Sequence, residues 1–108
     1  MVSIETFRQI ALSFPETEEH PHFHLASFRK NKKIFATLWE KDNKAMLKLP
    51  LADQYVYCAL DKDTFYPVPG VWGKQGSTFV DLNKVKKPIL KEALKIAYEN
   101  SGKKQITN

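Results

Sequence analysis

The sequence predicts a two-layer α+β domain, an antiparallel sheet with helices packed on one face, in the order α-β-β-β-α-β-β-α. Three observations predict it. Apolar residues recur at helical spacing near both ends of the chain, and short alternating stretches lie between them in runs. At 108 residues the chain buries one core but not two. The strict strand–helix alternation of a doubly wound nucleotide fold is missing.

Ile4, Phe7, Ile10, Ala11 and Phe14 follow helical spacing, Ser3 can cap and Pro15 stops the run, so a helix spans Ser3–Ser13. Glu16–Leu25 reads as a polar connection rich in His and Pro. Ala26–Lys30 opens an antiparallel meander, and Asn31 tolerates the left-handed conformation of a tight turn. In the strand Lys33–Glu40, Ile34, Ala36 and Leu38 alternate with Phe35, Thr37 and Trp39. Both sets are largely apolar, which makes this strand central. After a turn at Lys41-Asp42-Asn43, Lys44–Leu49 points Ala45, Leu47 and Leu49 inward and Lys44, Met46 and Lys48 outward.

Pro50 suits a first helical position, and Leu51–Leu60 carries Leu51, Tyr55, Cys58 and Ala59 on one apolar stripe. Asp61–Thr64 is a break, Phe65–Val68 a short extended piece and Pro69-Gly70 a turn. Val71–Gly76 reads as a loop holding Trp72 between glycines. In the strand Ser77–Leu82, Thr78, Val80 and Leu82 oppose Ser77, Phe79 and Asp81. A last helix, Lys87–Asn100, is followed by Gly102 and a frayed tail at 103–108, so residues 1–102 form one domain.

Composition narrows the setting. Cys58 is the single cysteine, so no intrachain disulfide forms, which suits a reducing compartment. The first residues lack a basic stretch followed by an apolar one, and no apolar run reaches bilayer length. A cytoplasmic protein, neither secreted nor membrane-inserted, is therefore expected. The net charge of +5 is unevenly spread: −3 over residues 1–25, +5 over 26–50, −1 over 51–85 and +4 over 86–108. Two basic segments permit a basic face for a polyanion, or a solvated surface rich in lysine.

No catalytic residue or cofactor motif emerges, so a non-enzymatic role is expected. Extended backbone puts His20, His22 and His24 on one face, but so short a stretch rarely supplies every metal ligand, and exposed loop histidines are the favoured reading. Cys58 reads as a core thiol, since the C-terminal half of a helix disfavours a thiolate. Gly70, Gly73 and Gly76 read as loop-shaping residues.

The basic hairpin is the better functional signal. Arg29, Lys30, Lys32 and Lys33 flank Asn31, where cations can sit on phosphates; Lys48 lies on the adjoining strand and Lys74 on a second loop. Guarding of strand ends by lysine is the alternative. Trp72 reads either as a plug between Pro69 and Phe79, which is favoured, or as a stacking surface. Trp39, Trp72 and Phe79 are the candidate ligand-binding residues.

Phe14-Pro15-Glu16-Thr17-Glu18-Glu19-His20-Pro21-His22-Phe23, Ser27-Phe28-Arg29 and Lys33-Ile34-Phe35-Ala36-Thr37-Leu38 resemble the YjbR (MmcQ/YjbR) family. So do Phe65-Tyr66-Pro67-Val68-Pro69-Gly70, Trp72-Gly73-Lys74-Gln75-Gly76 and Phe79-Val80-Asp81-Leu82, in the same order. The resemblance spans residues 3–99 and implies a CyaY-like fold. It implies a small bacterial protein binding duplex DNA through a double wing of hairpins, with no catalytic residues to carry over. Ser77 departs from the pattern, standing where relatives often have an aromatic, which thins any stacking surface there. The residues thus predict a monomer that contacts DNA phosphates non-specifically; the alternative is a protein- or small-ligand-binding module.

Overall fold

The computed structural model describes residues 1–101, and the predicted frayed tail lies outside the described residues. Helix α1 (Ile4–Ser13) is capped by Ser3, whose Oγ accepts from the Thr6 amide at 3.0 Å. Its inward face buries Phe7, Ile10 and Ala11. Phe7 meets Phe28 edge-on, with ring centroids 5.5 Å apart.

The segment after α1 departs from expectation. Thr17–His22 is a strand, β1, paired antiparallel with β2 (Leu25–Lys30). It is an edge strand, which is why it lacks an apolar alternation: one long side faces no neighbour, and charges and Pro21 discourage further pairing. Arg8 on α1 holds it down, with Nε donating to Glu19 at 3.1 Å while Nη2 reaches Glu40 at 3.2 Å.

Strand β3 (Lys33–Trp39) leads through a 3-10 turn (Glu40–Asp42) to β4 (Lys44–Lys48). Then come α2 (Leu51–Leu60), β5 (Phe65–Pro67), a four-residue helix α3 (Val71–Lys74), β6 (Ser77–Asp81) and α4 (Lys87–Ser101). The six strands are ordered β1-β2-β3-β4-β6-β5, every neighbouring pair antiparallel. The α+β prediction holds, with β1 and α3 added. Helix α4 lies across β3 and β4, burying Leu90, Ala93, Leu94 and Ala97 against residues such as Leu38 and Leu47.

Two details of facing differ from the predicted pattern. In β3 the pairing slips between Phe28 and Arg29: Phe28 partners Ala36, but Arg29 partners Ile34. Phe35 is the extra residue of this bulge. It turns to the helices and meets Tyr98 at 5.7 Å, while Ile34 joins Thr37 and Trp39 on the opposite face.

In α2 the predicted stripe faces outward: Leu51 and Tyr55 are exposed and Cys58 is half-buried. Gln54 and Tyr57 turn inward instead. Gln54 finds two carbonyl acceptors there, and Tyr57 both packs on Phe65 at 5.0 Å and donates its hydroxyl to Glu92. Polar groups with partners outcompete an apolar stripe without a cavity to fill. Pro50 is the N-cap, not the first helical residue.

Candidate functional site

Cross-strand partners share a face of a sheet. The pairs Thr37–Met46, Trp39–Lys44, Met46–Phe79, Lys48–Ser77 and Tyr66–Phe79 therefore define the face opposite the helices. On it runs a groove of about 390 Å³, lined by His22, Leu25, Ile34, Thr37, Trp39, Met46, Lys48, Val68, Trp72, Ser77 and Phe79. Most of its wall is apolar, a composition that suits ligand sites. Trp39 meets Phe79 edge-on at 5.1 Å and closes one end.

Trp72 stands at the other end, and it is no core plug: 63% of its surface is exposed. The reason lies in the turn that carries it. Gly70 enters α3 with φ 84°, a conformation costly for any side chain. At Gly73 a Cβ would stand 1.8 Å from the Val68 carbonyl oxygen. From beneath, Gln54 Nε2 donates to the carbonyls of Gly73 at 2.9 Å and Ser77 at 3.2 Å. The backbone is pulled so close to its neighbours that the indole is left outside, beside the groove. The two glycines shape the loop, as the sequence indicates.

The predicted cations gather at this same end. The β2–β3 turn, the last residue of β4 and the first of β6 are neighbours there, as the pairs Lys30–Lys33 and Lys48–Ser77 require. Arg29 faces the groove side, its Nε donating to Ser27 Oγ at 3.1 Å. Lys32 occupies the turn tip, Lys48 lines the groove, and Lys74 is exposed in the last turn of α3. Lys30 is the exception: its Nζ lies 4.2 Å from the Tyr98 ring on the helix side, and Lys33 is its partner. Of the second basic segment, Lys87, Lys91 and Lys95 lie on α4, which packs on the opposite face of the sheet.

Among the described residues, ion pairs join Arg8 to Glu19 and Glu40, and His20 to Glu18. None involves Arg29, Lys30, Lys32, Lys33, Lys48 or Lys74. Glu40 and Asp42 lie at the opposite end of the sheet, beside Trp39 and Lys44. Lys44 is not one of the lining residues but stands on the same face of the sheet, as its outward place in β4 predicts. Its Nζ sits 3.9 Å from the Phe79 centroid and 5.2 Å from that of Trp39. Phe79 beneath it is only 6% exposed, so of the three predicted ligand-binding rings Trp39 and Trp72 present the accessible surface. Outward alternation along β4 is the signal that finds Lys44; Ile34 is hidden by the bulge.

The other chemical candidates disperse. His20 pairs with Glu18 at 3.5 Å, His22 packs on Phe23 and His24 meets the edge of Trp39. No group of three or more His, Cys, Asp or Glu able to hold a metal occurs among the described residues. Burial pushes the Cys58 thiol up, away from nucleophilic character. No helix among the described residues is long and apolar enough to cross a membrane.

Comparison with solved structures finds a Deinococcus radiodurans protein, DR2400, whose domain is described as DUF419. It superposes with a TM-score of 0.85 at 18% identity, covering 100% of this chain and 84% of that one, a likeness of fold. No curated protein matches the sequence. The family model YjbR matches residues 12–100, most of the chain, and the protein belongs to the YjbR family.

Proposed function

We propose that this YjbR-family chain is a non-enzymatic DNA-binding protein that holds phosphates without reading sequence, using two basic projections of a double wing. One projection is the β2–β3 hairpin with Arg29 and Lys32; the other is the α3 turn with Lys74, and Lys48 lies between them. The observation that carries this reading is that these cations, drawn from three elements, meet at one end of the sheet with no carboxylate partner among the described residues. Unneutralised lysine and arginine release counterions from a phosphate chain, which is the source of non-specific affinity. Few side chains there suit base edges, so sequence preference is weak. Both projections belong to one copy, so a monomer suffices.

A second reading, a protein- or small-ligand-binding module, draws on the apolar groove and the exposed Trp72. The two readings separate on charge. Replacing Arg29, Lys32, Lys48 and Lys74 together with Ala abolishes binding to labelled DNA at low salt if phosphates are the ligand. Binding of an uncharged ligand survives that change.

A further inference from the structure

We infer that the DNA held here is single-stranded, with an unstacked base seated in the open-face groove against Trp72. This deepens the phosphate reading above and rests on it.

The groove and the cations are continuous. Lys48 both lines the groove and belongs to the basic end of the sheet, and Trp72 lines the same groove. A strand with a phosphate on Lys48 therefore brings its bases to the indole and the apolar wall. A duplex cannot use that wall. Its outer surface is sugar and phosphate, and its bases are stacked and paired inside. Only a strand with free base faces gains from stacking on aromatic rings, and this gain tolerates any sequence. A small uncharged ligand leaves the surrounding cations unexplained, whereas a polyanion with apolar plates between its charges matches both features.

The rigidity of α3 fits the same use. Gly73 and Gln54 fix the turn before any ligand arrives, so Trp72 loses little freedom on stacking. Trp39 continues the groove's apolar wall along the sheet.

The test uses the full chain with a fluorescent oligothymidine of about 12 nucleotides and a duplex of equal length. Stacking quenches tryptophan emission with the single strand only, and the wild type prefers the single strand. W72A weakens single-strand binding about tenfold or more while leaving duplex binding within about twofold, and W72F restores part of the loss. Equal affinity for both polymers, or single-strand affinity unchanged in W72A, overturns the inference and leaves phosphate binding standing. No binding of either polymer at low salt overturns both.

Discussion

The side-chain amide of Gln54 donates to the main-chain carbonyl of Gly73 at 2.9 Å, tying helix α2 to the turn that exposes Trp72. A buried polar group in one element thus sets the position of an exposed ring in another. Gln54→Leu leaves the Gly73 and Ser77 carbonyls without that donor, at a cost of about 2 kcal/mol. A lower melting temperature with increased mobility of Trp72, read by fluorescence anisotropy, is the expected result. An unchanged anisotropy contradicts the role given to Gln54.

Gly73→Ala tests the close approach itself. The new methyl meets backbone, the Val68 carbonyl at 1.8 Å, and not a side chain that can swing away. The turn must move, and the expected loss of stability is about 3 kcal/mol, in the range of overpacking. Thermal denaturation measures it. A neutral outcome shows that α3 is looser than its contacts imply.

Lys32 is a lysine in a position suited to glycine. It has φ 68°, next to Asn31 at φ 50°, the pair of left-handed residues that a two-residue hairpin turn prefers as Asn-Gly. Lys32→Gly therefore stabilises the fold by about 1 kcal/mol while removing a proposed phosphate contact. A higher melting temperature together with weaker DNA binding is expected. The opposite signs identify a residue kept for its charge.

Tyr57 gives the protein a stability limit at high pH. Burial first, and its hydrogen bond to Glu92 second, push the phenol well above the ordinary value of 10.0. Below pH 10 both folded and unfolded chains keep this proton. Above it the unfolded chain loses the proton first, so the contribution declines as pH rises. Tyr57→Phe lowers the melting temperature at neutral pH and flattens its fall above pH 10 relative to wild type.

The layers of the fold are legible in the sequence wherever apolar spacing is strong. The spacing of Phe7, Ile10 and Ala11 marks α1, and the alternation of Ala45 and Leu47 with Lys44 and Lys48 marks β4 together with its facing. Strand β1 is illegible because an edge strand needs little apolar pattern, and its Glu and His residues resemble a loop. The inward face of α2 is hidden for a different reason. Gln54 and Tyr57 are buried only because acceptors from distant segments wait for them, and pattern within the helix carries no trace of those acceptors.

The site divides in the same way. Lysines 48 and 74 and Arg29 are visible as charges, but their meeting depends on the order β4-β6 in the sheet, which local pattern does not contain. Trp72 is misread as a plug because aromatic residues usually go inside. Only the tight backbone approach at Gly73 explains why this one does not.

The salt dependence of DNA binding is the most direct measurement of phosphate contact. Arg29, Lys32, Lys48 and Lys74 together predict a plot of log affinity against log salt with a slope of about −3 to −4, reduced toward zero when all four become alanine. Affinity that does not change between low and physiological salt contradicts phosphate binding at this end of the sheet.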